Sequence, residues 1–155
     1  MKQITIFDKT IRVDDLKKGK LCCDGCGRNM RAYAKTLDKR LLYLGYDILD
    51  YLRQNKKTSF RAKDIWSDHH KINDFQKLGY WKIIRRDKSS WKLTNNGKAF
   101  LIGKRPLPNR IWVFKNNAVD WEDELLLVGQ IDDRWQTQRG DYTLDYINIK
   151  QEKLI

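Results

Sequence analysis

From Asp38 onward, apolar residues recur at helical spacing: Leu41, Leu44, Ile48, Leu49 and Leu52 fall on one side of a helical wheel. Asp38 is placed to cap the N-terminus, and the polar run Gln54-Asn55-Lys56-Lys57 ends the pattern, so a first core helix is predicted here. Thr58-Ser59 then precedes Phe60-Arg61-Ala62-Lys63-Asp64-Ile65-Trp66, where a capping hydroxyl and the apolar Phe60, Ile65 and Trp66 predict a second, short helix. Ser67-Asp68 can cap again. Behind it His69 to Leu78 carries Ile72, Phe75 and Leu78 at three-residue intervals and meets Gly79, a natural C-terminal stop. On this third helix Ile72, Phe75 and Leu78 turn inward, while His69, His70, Asn73 and Lys77 point roughly the other way.

Tyr80 to Arg85 reads as a strand, Arg86 to Ser90 as a turn and Trp91-Lys92-Leu93 as the returning strand of a β-hairpin, after which Thr94 caps a last short helix through Leu101. Three helices, a hairpin with a basic tip and a capped helix follow the order of parts in a winged helix domain, where the third helix enters the major groove and the hairpin is the wing. The residues Phe75-x-x-Leu78-Gly79-Tyr80-Trp81-x-Ile83-Ile84 and Trp91-x-Leu93-Thr94-x-x-Gly97-x-x-Phe100 carry a resemblance to winged helix regulators. In those regulators the third helix ends in a Leu-Gly pair, a strand leads into the wing, and a Leu-Thr-x-x-Gly turn starts the next helix. The resemblance covers only the central part of the chain. The sequence is also similar to small uncharacterised phage and prophage proteins that combine a single Cys-x-x-Cys-Gly motif, a winged segment and a short β-rich tail, which bears on the fold more than on the function.

Past the stiff connector Arg105-Pro106-Leu107-Pro108, Ile111 to Phe114 reads as a strand, Asn116-Asn117 as a turn and Ala118-Val119 as its return. Leu125 to Val128 is a buried strand or a helical turn, which periodicity does not separate; Trp135, Tyr142 and Tyr146 are available to complete a core or a partner surface. The expected fold class is α+β: an N-terminal arm with a zinc-knuckle-like turn over residues 1–36, a winged helix-turn-helix domain over 37–105, and a small β-rich, acidic extension over 106–155.

Charge changes this picture most. The net charge is +12, but residues 1–110 hold 27 Lys and Arg against 11 Asp, whereas residues 111–155 hold 5 against 9 Asp and Glu. A positive field of that strength attracts polyanions and releases their condensed counterions, so double-stranded DNA is the expected partner; the alternative is that a basic chain is simply kept soluble by its charge. Arg85, Arg86 and Lys88 at the wing, with Lys63, Lys71 and Lys77 around the helices, are the expected phosphate contacts. Asn73 and His70 are the side chains suited to base edges. Length and a 41% apolar share allow a core without disulfide staples. No apolar run approaches the ~20 residues of a membrane span, and the N-terminus lacks a secretory apolar stretch, so a cytoplasmic location is expected, that of the host if the chain is phage-encoded.

Cys22, Cys23 and Cys26 form an odd, tight group. Cys23-Asp24-Gly25-Cys26-Gly27 has the spacing of a zinc knuckle, yet a structural zinc needs four ligands and one Cys-x-x-Cys supplies two. Cys22 as a third sulfur with His69 or His70 as the fourth ligand, a site shared between two subunits in a homodimer, and reduced thiols with no metal all stay open. No catalytic constellation is present: the acidic run Glu122-Asp123-Glu124 with Asp120 lacks an accompanying Lys or His and reads as a solvated loop, and no phosphate loop or nucleophile elbow occurs. A non-enzymatic protein without a small-molecule substrate is expected. The competing class is a winged helix module that docks on an acidic protein partner, assembling with or inhibiting a nucleic-acid-processing complex. Single-strand or RNA binding through Trp66, Tyr80 and Trp81 is disfavoured, because those residues sit where core packing requires them.

Overall fold

The computed structural model describes residues 2–6, 9–22 and 27–135. Helices and small antiparallel sheets share the chain. It starts with a hairpin of β1 (Gln3–Ile6) and β2 (Lys9–Arg12), helix α1 (Val13–Lys18), a second hairpin of β3 (Leu21–Cys22) and β4 (Asn29–Met30), and strand β5 (Tyr33–Thr36). The helical centre is α2 (Lys39–Gln54), α3 (Ala62–Ile65) and α4 (His69–Asp74), which runs into a 3-10 helix over Phe75–Trp81. Strands β6 (Ile84–Asp87) and β7 (Ser90–Leu93) make a hairpin, and α5 (Asn95–Leu101) follows. The rest is β8 (Leu107–Pro108), β9 (Arg110–Phe114), β10 (Asn117–Trp121), β11 (Leu125–Leu126) and α6 (Val128–Ile131).

The first core helix forms as its pattern predicts. Asp38 accepts a hydrogen bond from the Leu41 N–H at 3.0 Å, and the helix ends at Gln54. The next prediction needs correction: α3 begins only at Ala62, without a side-chain cap, because Phe60 instead exchanges both backbone hydrogen bonds with Trp91, each 2.9 Å, and so forms a bridge to the hairpin. Nor is Gly79 the stop of the third helix. Phe75, Leu78 and Trp81 lie three residues apart and are all buried, and a 3-10 turn of three residues per turn puts all three on one face. The helix therefore runs through Tyr80, predicted as strand, and ends at Lys82 in the left-handed conformation with φ 57°.

Thr94 caps α5 as expected, its hydroxyl oxygen accepting from the Gly97 N–H at 2.9 Å and lying 3.1 Å from the Ile83 carbonyl. Gly97 has a packing reason. A Cβ there would meet the Ile83 carbonyl oxygen at 2.2 Å, so only glycine lets α5 seat against the chain entering the hairpin.

The buried cluster is built from α2, the 3-10 helix, the hairpin and α5, and extends through Ile111, Val113, Val128 and Trp135 into the last third of the described chain. Strand β9 pairs with β10 on one side and with β5 on the other, Tyr33 opposite Val113, giving a three-stranded sheet. Tyr46 on α2 donates to the buried Asp132 at 3.0 Å, and the Trp135 indole donates to the Leu101 carbonyl at 3.0 Å. Leu125 and Leu127, read as buried, are exposed, whereas Val128 is buried. Asp120 is no loop residue: it sits on β10 and pairs with Lys2 and Lys17, whose ammonium groups lie 3.7 Å and 3.6 Å from the rings of Trp121 and Trp112. Among the described residues no helix is long and apolar enough to cross a membrane. Tyr142 and Tyr146 lie outside the described residues.

Candidate nucleic-acid interface

Phe75 fixes the relation between the third helix and the hairpin. Its ring lies 5.3 Å from Trp91, edge to face at 81°, 5.4 Å from Trp66 and 6.0 Å from Phe60. Aromatic pairs at these separations contribute about 0.5–1.5 kcal/mol each beyond area burial, so one ring ties α3, the 3-10 helix and the hairpin into a single support.

On the solvent side of that support stand the residues expected to meet nucleic acid. Lys63 is exposed on α3, and His70, Lys71 and Asn73 are exposed on α4, whose N-terminus Asp68 caps by accepting from the His70 N–H at 2.8 Å. His70, Asn73 and Gln76 step along one side at three-residue intervals, the spacing of helical neighbours. Lys77 is exposed but engaged: its ammonium lies 3.0 Å from the Asp74 carboxylate, which Arg40 also contacts. The Lys77 ammonium, with Arg40 beside it, holds the Asp74 carboxyl below the usual carboxylate range. One acid is thus shared by two cations, which weakens Lys77 as a free phosphate contact.

Arg85 and Arg86 lie exposed on β6, and Lys88 is at the two-residue turn in the left-handed conformation, φ 56°. Alternation puts them to different uses. Arg86 shares a face with Trp91, directly opposite, and its guanidinium lies 5.7 Å from that ring while Nε donates to the Lys88 carbonyl at 3.2 Å. Arg85 pairs with Lys92 on the outer face, where Lys92 reaches Asp87 at 3.1 Å and leaves Arg85 clear.

Between the 3-10 helix and the hairpin runs a groove of about 650 Å³ whose polar lining includes Gln76, Lys82, Arg85 and Arg86; among the described residues no carboxylate lines it. The groove brings Arg85 and Arg86 together, while Lys63, Lys71 and Lys88 stand outside its lining. Lys82 and Gln76 were absent from the sequence expectation. Their signal was present: Lys82 is a lone charge between the buried Trp81 and Ile83, and Gln76 continues the His70–Asn73 step. Neither Lys71, Lys82 nor Arg85 has a carboxylate partner among the described residues.

Of the expected metal ligands, Cys23 and Cys26 lie outside the described residues. Cys22 is exposed on β3, a free thiol whose sulfur is 3.3 Å from the Asn29 amide oxygen across the hairpin. Gly27 takes φ 70°, a left-handed conformation that glycine adopts without steric cost. Among the described residues, no group of three or more His, Cys, Asp and Glu side chains is gathered to hold a metal ion. No family model matches the chain, and comparison with curated proteins and with solved structures returns no match.

Proposed function

We propose that this chain binds double-stranded DNA as a winged helix protein, with α4 and its 3-10 continuation in the major groove and the β6–β7 hairpin as a wing on the phosphate backbone. The order α2, α3, α4, hairpin and α5 supports the reading, and the Phe60–Trp91 bridge pins the hairpin to the chain between α2 and α3. The observation that carries it is the groove walled by Lys82, Arg85 and Arg86 without a carboxylate, while the nearby acids Asp74 and Asp87 are already engaged by Arg40, Lys77 and Lys92. Phosphate oxygens are the complementary ligand for such a wall, and the polar stripe His70, Asn73 and Gln76 offers donors and acceptors to base edges.

Fluorescence anisotropy with a mixed-sequence duplex tests this directly. The logarithm of the affinity should fall linearly with the logarithm of salt between ~50 and ~200 mM, and Lys82→Ala and Arg85→Ala should each flatten that slope by about one. No binding at ~50 mM salt, where phosphate contacts are strongest, sinks the proposal. A stoichiometric acidic protein partner, with DNA affinity no better than that of other proteins of equal charge, would favour the docking module instead.

A further inference from the structure

A second cleft opens beside the first. Its walls include Arg28, Arg31, Lys35 and Lys115, with Tyr33 and Tyr80 among them; it has a volume of about 520 Å³, and among the described residues no carboxylate lines it. Tyr80 and Asn116 line both clefts, so the two meet at that pair. Tyr33 is 61% exposed, more than any other large hydrophobic residue among those described. It sits on the edge strand β5, directly opposite Val113, with the Arg31 guanidinium 6.0 Å from its ring.

Tyr33 thus stands exposed in a cleft whose described lining carries the cations Arg28, Arg31 and Lys35 and no carboxylate. Polynucleotide strands without a partner strand are held by this combination: a cationic track for the phosphates and an aromatic face for a base. The exposed ring argues for one strand, because a base can stack on Tyr33 only where it is unpaired and its face is open.

We infer that the Tyr33 cleft holds an unpaired DNA strand continuing from the duplex on the neighbouring groove, so that the protein prefers a junction between double- and single-stranded DNA. The inference rests on the duplex reading for its orientation, but the cleft has its own residues. Phosphates pair with Arg28, Arg31 and Lys35, and a base stacks on Tyr33.

The test is fluorescence anisotropy with four labelled probes, a blunt duplex of ~20 base pairs, the same duplex with a 5′ and with a 3′ single-stranded extension of ~10 nucleotides, and the single strand alone. One extension polarity should tighten binding at least about fivefold over the blunt duplex; Tyr33→Ala should remove most of that gain with blunt-duplex affinity unchanged, and Tyr33→Phe should keep it. Tyr33 is exposed, and a circular dichroism melt checks that the variants fold. Blunt-duplex binding with no gain from either extension, or a gain that survives Tyr33→Ala, overturns the cleft alone. Binding of the single strand that depends on Tyr33, without blunt-duplex binding, overturns the duplex reading and leaves the cleft standing.

Discussion

Asp120 shows how one side chain joins distant segments. Burial pushes its carboxyl up, but hydrogen bonds from Lys17, Lys2 and the Trp121 N–H more than offset this and bring it down to about 2. A carboxyl held below its unfolded value stabilises the fold fully above the unfolded value, here 3.8, and the contribution is lost as pH falls through about 2. Asp120→Asn should therefore cost about 1–2 kcal/mol near neutral pH, and the gap between variant and parent should close between about pH 4 and pH 2. Urea denaturation of both proteins across that range measures it; a gap that is constant with pH would assign the cost to packing. Nothing local announced this residue. Asp120 stands next to a genuine acidic run, and the lysines that claim it lie over a hundred positions earlier.

Among the elements, α2 was legible because its cap, its apolar stripe and its polar stop all lie within its own sequence. The hairpin was legible in kind but placed too early, since Gly79 looked like a stop while the interval of three that runs from Phe75 to Trp81 continued past it. Strand β5 was not legible at all: Tyr33-Ala34-Lys35-Thr36 is a strand because β9 lies beside it, and that partner is remote in sequence. The basic residues of the Tyr33 cleft were hidden for the same reason, lying in what read as an arm. Phe75 is also a wedge between the end of α4 and the β6–β7 hairpin. Phe75→Ala should cost about 3–5 kcal/mol, read by chemical denaturation. Phe75→Leu, which refills part of the volume, should restore much of that; a loss below ~1 kcal/mol for the alanine variant would mean the aromatic cluster is not the support described here.

For the molecule as a whole, the buried cluster runs across the boundary expected at residue 105: Ile111, Val113, Val128 and Trp135 pack with α2 and α5. Trp81 is tied the same way, its indole donating to the Pro108 carbonyl at 2.8 Å. A fragment of residues 37–105 should consequently lose these lids and behave as an expanded, weakly protected chain, with far-ultraviolet dichroism retained in part but no cooperative melt. A sharp, two-state melt of that fragment would show that the central segment is self-sufficient.

The pairing of β5 with β9 also has a consequence during synthesis. As the chain emerges from the ribosome, Tyr33 to Thr36 must wait without a partner until Arg110 to Phe114 appear, by which time the helices and hairpin between them have already left the tunnel. The sheet, and with it the cleft that Tyr33 lines, thus closes over a helical centre that was translated before its strand partner existed.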